Sequence, residues 1–483
     1  MTSHAEIFHA AESTSAGHEA STARFWTTFA ALALAALGYS LLQGIVAPAL
    51  PEIQRALHTS TTSVTWVFTA YLLSASVATP IAGRLGDMFG RRRVLLIVLS
   101  ALAAGTIICA TASSIVLLIV GRVLQGLGAG VYPAAFGIVR DEFPANRAAI
   151  GIALISAIVG VGGGLGIVLA GPIVQHFSYH WLFWFPLIAV AISLVAAIAV
   201  VPESRLRVPG HVNLLGAALL SGWLLALLLA VSEAPRWHWT SGRTLGLFAV
   251  ALVLAIISVI AETRAREPLI DMRTMRRRGV WTVNAVGLLL GAGLFGAFVL
   301  IPRMVELPKA TGVGFGSSVT GAGIFLLPAT AMVLLVSPLA GRMDKLVGSK
   351  VPLVLGALFA LAGYILLATE HTHRVEIYIA TTLLGIGIGF AFASMTNLIV
   401  RAVKSDETGQ ATGINTVTRF VGGAIGGSVF GSILSSRLAH GAPSNHGFTI
   451  AFTIGAITLA VGAAAALAVP GRTRTKRAEI EQA

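Results

Sequence analysis

Thr79-Pro80-Ile81-Ala82-Gly83-Arg84-Leu85-Gly86-Asp87-Met88-Phe89-Gly90-Arg91-Arg92-Arg93 is the stretch on which the fold turns. An apolar run ends in it, its small residues allow a tight backbone turn, and one acid sits among arginines, placed to pair or to face a helix N-terminus. Its opening recurs as Ser337-Pro338-Leu339-Ala340-Gly341-Arg342, with Pro338 lying 258 residues after Pro80. Gly348 then follows Gly341 at the interval by which Gly90 follows Gly83. An ordinary positive loop accounts for the arginines but not for the spaced glycines or the aspartate. Repetition of this kind marks transporters built from duplicated bundles.

The chain around the two copies is too apolar for water. Of its 483 residues, 56% are hydrophobic and 11% charged, where soluble proteins average about a quarter charged. The lipid bilayer is therefore the expected solvent. Apolar runs of about 20 residues, the length of a spanning helix, begin near Phe25, Val64, Val94, Ile115, Ala148 and Trp181, then Asn213 and Thr244, then Val280, Thr320, Val351, Glu376, Gln410 and Phe448. That makes fourteen spans, the ninth the least clearly bounded around Pro302. The expected fold is an all-α polytopic membrane protein with two six-helix bundles and two inserted helices. The expected parts are a disordered tail (1–24), the first bundle (25–203), the insert (204–266), the second bundle (267–470) and a basic tail (471–483).

Charge sets the orientation. With the N-terminus inside, 24 of the 33 Lys and Arg fall on the cytoplasmic side, 7 outside, and Arg122 and Arg419 within spans. Such an excess is the signature of cytoplasmic loops, so both termini are expected in the cytoplasm. The net charge of +13 is thus spent on topology, in short runs between spans, and no nucleic-acid partner is expected. Arginine exceeds lysine and Ala and Gly abound, as in GC-rich bacterial genomes. The expected location is a bacterial inner membrane.

The Gly83–Arg93 stretch resembles the loop motif of the major facilitator superfamily, G-x-L-a-D-r-x-G-r-[RK]-x, at almost every position. The resemblance implies a gate latch made of Gly83, Arg84, Asp87, Gly90, Arg91 and Arg92, which holds one arrangement of the bundles and breaks during alternating access. Arg122 and Gln125 lie in Leu118-x-x-x-Arg122-x-x-Gln125-Gly126-x-Gly128-Ala129. An intramembrane arginine is costly and suggests function, with a structural arginine satisfied by carbonyls as the alternative. The segment looks like the superfamily's span-four motif, which implies a part for Arg122 in proton coupling. Span five, with Gly160, Gly162, Gly163, Gly164, Gly166 and Gly171-Pro172, suits close helix packing. It resembles the exporters' G-P-x-x-G-G motif in degraded form, with Ile167 at the proline and Ala170 at a glycine. Span thirteen, Gly409 to Arg419 and then Gly422, Gly423, Gly426 and Gly427, looks like that of the fourteen-span drug:proton antiporters. The two-helix insert selects the same branch.

One departure matters. That branch carries an aspartate in its first span, in D-x-T-I-V-N-V-A-L-P, where this chain has Leu42-Gln43-Gly44-Ile45-Val46-Ala47-Pro48-Ala49-Leu50-Pro51. None of the 20 acidic residues falls mid-span, and Glu52 and Glu306 are the ones placed to reach a central cavity. Proton coupling needs a group whose protonation changes between states, which makes Glu306 the candidate acid, beside Arg122, whose part in coupling the span-four resemblance implies. The cavity candidates are Gln43, Arg122, Gln125, Asn284, Asn397, Asn415 and Arg419, with Trp66 and Tyr71 as aromatic contacts. With so few acids, neutral or anionic cargo suits the chain better than cations.

The expectation is an exporter of small amphipathic molecules, coupled to protons and acting as a monomer. A facilitator or importer of the same superfamily is the alternative. An enzyme would need convergent nucleophiles, acids or ligands, and a sensor a soluble domain. Cys109 is the single cysteine, the twelve histidines form no ligand pattern, and there is no G-x-x-x-x-G-K-[ST]. No metal, cofactor or nucleotide is expected. Glu370, His371 and His373 read as a wet outer loop.

Overall fold

The computed structural model describes residues 4–203, 213–265, 268–439 and 442–471. Fourteen helices among them are long and apolar enough to cross a membrane. In chain order they are α1 (His4–Ile45), α2 (Thr61–Phe89), α3 (Arg91–Thr111), α4 (Ile115–Glu142), α5 (Ala145–His176), α6 (Trp181–Val200) and α7 (Leu214–Trp237). There follow α8 (Gly242–Arg264), α9 (Arg278–Glu306), α10 (Val319–Leu346), α11 (Lys350–Thr369), α12 (Arg374–Ala402), α13 (Thr408–Ser436) and α14 (Asn445–Ala468). All fourteen expected spans are present. The ninth, hard to bound from sequence, runs straight through Pro302 to Glu306.

Local chemistry fixes the helix ends. Ser60, Ser114, Ser241, Ser318 and Ser444 each accept the N–H three residues on, capping α2, α4, α8, α10 and α14, as serine does where the first-turn amides lack partners. Gly90 separates α2 from α3 at φ 104°, a conformation that glycine alone adopts without strain. Two expectations change. Residues 4–24 continue α1 as helix where a disordered tail was expected, since alanine and glutamate are strong helix formers. His371 is buried in place of lying in a wet loop, with Nδ1 2.8 Å from the Leu367 carbonyl and Nε2 against Asn445 Oδ1. The basic tail beyond residue 471 and the start of the insert at 204–212 lie outside the described residues.

Apolar packing gathers the helices into two bodies. One cluster of buried side chains is drawn mainly from α1 to α6, from Ala31 to Val201, with Val400 of α12. A second runs through α9 to α14, from Val280 to Val469, and takes in Ala157 and Val161 of α5. Between them α5 lies along α10, its Gly171 against Thr320, Gly164 against Thr330, and Ile150 against Gly341 at the opposite end. The small residues let the two backbones approach closely. On the other flank α2 meets α13, and α7 of the insert wedges over that seam. Leu220, Leu224 and Leu228 of α7 pack with Leu73 of α2 and with Val417 and Val421 of α13. The second inserted helix, α8, turns Leu252, Val253, Ile256 and Val259 outward, an apolar face suited to lipid.

Candidate functional site

The site has three levels along the seam: a cross-bundle polar cluster, formed where a latch was expected, at the end that carries Arg91–Arg93, a polar layer in the middle, and a cavity toward the far end. The latch forms because the first turn of α13 leaves backbone N–H groups without helical partners and carries the positive end of the helix dipole. Asp87, at the end of α2, meets it from the opposite bundle. Its carboxylate accepts the Gly409 N–H at 3.3 Å and the Gln410 N–H at 3.1 Å. Gly83, one turn earlier on α2, lets the two backbones come this close, since a methyl group there would overlap the Gly409 carbonyl.

Arginines complete the latch. Arg91, 2% exposed, pairs with Asp87 at 3.0 Å and with Asp141, and donates to the Gly137 carbonyl at 2.7 Å and, across the seam, to the Ser405 carbonyl at 2.6 Å. Arg140 of α4 donates to the Val403 and Lys404 carbonyls at 2.9 and 3.0 Å and to the Thr408 hydroxyl. Arg92 turns away, to the Ile198 carbonyl on α6. Arg84 is half-buried near Glu262 of the insert. Asp344 closes the second copy of the motif within its own bundle, on Arg401 and Ser349. The insert is tied to the same place, since the Gln410 side-chain amide donates to the Leu269 carbonyl at 2.8 Å, and Glu262 accepts the Ile270 N–H.

The middle layer holds the intramembrane arginines. Arg122 is wholly buried in the first bundle. It donates to the carbonyls of Val67 at 2.9 Å and Leu42 at 3.2 Å and to Gln125 Oε1 at 2.8 Å, with its guanidinium 4.0 Å from the Tyr71 ring centre. Gln125 in turn donates to Thr106. Across the seam Arg419 lies over the Phe392 ring at 4.7 Å, and Asn415 donates to Asn284 Oδ1 at 3.0 Å. Asn397 bonds the Ala149 carbonyl on α5, which stitches the bundles together beside the latch.

The cavity, about 350 Å³, opens between the far halves of the bundles. Its wall is Gln43 and Gly44 of α1, Phe68 and Thr69 of α2, Gly160, Gly163 and Gly164 of α5, Phe295 and Phe298 of α9, Phe420, Gly423 and Gly427 of α13, and Ser232 of the inserted α7. Among the described residues, none that carries a charge lines it. An apolar, aromatic wall with a few polar atoms is what small-molecule sites present.

Of the residues expected at a cavity, Gln43 lines it. Arg122, Gln125 and Tyr71 lie inside the first bundle, Trp66 packs at the insert seam, and Asn284, Asn415 and Arg419 lie in the middle layer. Glu306 is exposed at the end of α9, away from the cavity wall. Sequence reasoning passed over the four phenylalanines, which look like ordinary lipid-facing residues until the helices are placed. It also passed over Glu233, which is 7% exposed and follows the wall residue Ser232.

Comparison with known proteins bears on this arrangement. The family model described as Major Facilitator Superfamily matches residues 32–427. The Tetracenomycin C resistance and export protein of Streptomyces glaucescens is 30% identical over 405 residues, 83% of this chain and 74% of that protein. The Multidrug transporter protein MdtP of Bacillus subtilis is 30% identical over 80% of this chain and 71% of its own length. The Lincomycin resistance protein of Streptomyces lincolnensis is 28% identical over 86% of each. Among solved structures, the human organic anion transporter MFSD10 (TETRAN) matches with a TM-score of 0.62, covering 91% of this chain and 98% of its own, at 16% identity, a likeness of fold alone.

Proposed function

From the premise that the chain belongs to the major facilitator superfamily, we propose that it exports small amphipathic molecules by alternating access in exchange for protons. It works in a bacterial inner membrane with both termini in the cytoplasm. The bodies that rock are 25–203 and 267–470, with 204–266 as the insert. The observation that carries the reading is the asymmetry of the seam. It is latched at the basic end by Asp87, Arg91 and Arg140, while an apolar cavity of about 350 Å³ opens toward the other end. That is the geometry of a carrier holding its site open to one side and shut to the other. The export and resistance proteins of Streptomyces and the multidrug transporter of Bacillus at 28–30% identity support export of drug-like compounds.

The test is transport in proteoliposomes, using a panel of dyes and antibiotics, with and without an imposed proton gradient. Gradient-dependent movement is the expected result. Arg122 and Glu306 are the coupling candidates from sequence, and Glu233 joins them by its burial beside the cavity wall, so Glu306→Gln and Glu233→Gln are run alongside. The acid that couples is the one whose loss makes movement indifferent to the gradient. One observation favours a facilitator instead, the absence of any carboxylate among the described lining residues. Movement indifferent to the gradient in the parent protein would establish that second reading.

A further expected result concerns cavity volume. A Cβ at Gly163 would meet nothing within 4 Å, so Gly163→Leu projects into the cavity without disturbing the backbone. It should fold like the parent, and transport of the bulkiest compounds should fall by on the order of tenfold or more, with smaller ones less affected. Initial rates across a size-graded panel check it.

A further inference from the structure

Arg122 and Arg419 are 0% and 2% exposed. Arginine keeps its proton in proteins, and a buried charge is costly unless paired and hydrogen-bonded. The two meet this cost differently. Arg122 makes three hydrogen bonds to carbonyl-type oxygens, as a structural arginine does, and leaves only its Nη2 without a partner among the described residues. Arg419 has one, to the Thr416 hydroxyl at 3.2 Å. Among the described residues its Nη1 has no hydrogen-bond partner, and the adjacent Asn415 Oδ1 also has none.

No acid among the described residues supplies the missing charge. Tyr132 of the opposite bundle holds its phenol in a hydrogen bond with Ser40. Toward the basic end Asp87 is paired with Arg91, Asp344 with Arg401 and Glu407 with Arg277. Glu233 has Arg236.

Placement gives this unmet charge a use. Along α13 the order is Gln410 at the latch, then Asn415 and Arg419, then the cavity residues Phe420, Gly423 and Gly427. At 1.5 Å per residue Arg419 lies about 13 Å from the latch and about 12 Å from Gly427. Phe392 covers its guanidinium, and Phe295, in the cavity wall, lies 5.7 Å from Phe392 and 6.0 Å from Phe420 between ring centres. Charge, amide and aromatic surface therefore meet at mid-seam.

We propose that Arg419, with Asn415 beside it, is the recognition point for a carboxylate on the cargo, whose aromatic or apolar body lies against Phe295, Phe392 and Phe420. The transported molecule itself brings the counter-charge that the protein lacks. Cargo arriving from the basic end, once the latch parts, reaches Asn415 and Arg419 before the aromatic layer. This deepens the export reading above and rests on it.

The experiment separates the two. Purified protein in detergent is titrated with fluorescent aromatic carboxylates, among them anthracene-9-carboxylate, and with their matched carboxamides. The parent should bind the carboxylates about ten- to a hundredfold more tightly than the amides, the range for a hydrogen bond to a charged group. Arg419→Gln should abolish that preference and Arg419→Lys should keep part of it. Asn415→Asp places an acid beside the guanidinium and should abolish the preference without loss of thermal stability, which covers the case in which Arg419→Gln misfolds. Equal binding of acids and amides by the parent, or a preference unchanged in Arg419→Gln and Asn415→Asp, would overturn the proposal. Proteoliposome transport of the same compounds tests the export reading separately: selective binding without movement defeats that reading and leaves the carboxylate site standing.

Discussion

Asp87→Asn should open the basic end of the carrier. The aspartate accepts two N–H groups from the first turn of α13 and an ion pair from Arg91 while 2% exposed. Asparagine is nearly the same size but keeps one accepting oxygen, and it turns an N–H₂ toward a helix end that already presents donors. Hydrogen bonds to charged groups are worth about 1.5–3 kcal/mol, and the two from α13 exist only while the bundles are latched. Losing them should lower the latched population about ten- to a hundredfold relative to the other arrangement. A cysteine at Thr79, buried two turns behind the latch, reads this directly in a Cys109→Ser background. Labelling by an impermeant maleimide from the basic side should be slow in the parent and at least tenfold faster in the Asp87→Asn variant. Equal rates would show that the carboxylate does not hold the seam.

Arg122→Ala carries the other large effect. It removes a wholly buried side chain and strips the Val67 and Leu42 carbonyls and Gln125 Oε1 of their donor. Leaving a buried polar group unsatisfied costs about 1–3 kcal/mol, to which the emptied volume adds, so the variant should lose both thermal stability in detergent and transport. Arg122→Lys restores charge but not the planar fork that reaches three acceptors at once, and it should fall between. The lysine variant decides what the residue does. If it folds and moves cargo with no response to a proton gradient, Arg122 belongs to the coupling machinery. Transport lost only in proportion to folded protein makes it a brace.

The architecture was legible because a bilayer leaves few choices. Some 20 apolar residues must be helix there, and Pro80 and Pro338 mark equivalent helices at the duplicated interval. Asp87 was legible too, as an acid out of place among arginines. Its partner was not, because Gly409 and Gln410 offer backbone amides, which every residue but proline has. The cavity was the least legible part. Polarity within spans pointed to Arg122, Gln125 and Asn397, but polar atoms in an apolar body are drawn to carbonyls and amides of neighbouring helices, and these found them at Val67, Thr106 and Ala149. The wall fell instead to phenylalanines and to a glycine face on α5, residue types that serve equally against lipid or another helix. Helix rotation separates those uses, and the apolar stretch of α5 has no polar face from which to read it.

The latch is lopsided: apart from the Thr408 hydroxyl, the second bundle receives Asp87, Arg91 and Arg140 with main-chain groups alone. Mutational drift through residues 403–410 can therefore exchange one side chain for another and leave the keeper of the lock in place, provided position 409 stays small enough for Gly83 to approach. The bolt has no such freedom, since a single base change at Asp87 or Arg91 breaks it. Diverging lineages of this carrier should accordingly hold their first bundle's latch residues fixed while the facing segment wanders, and selection for new cargo can rework that half of the molecule without first inventing a new way to shut it.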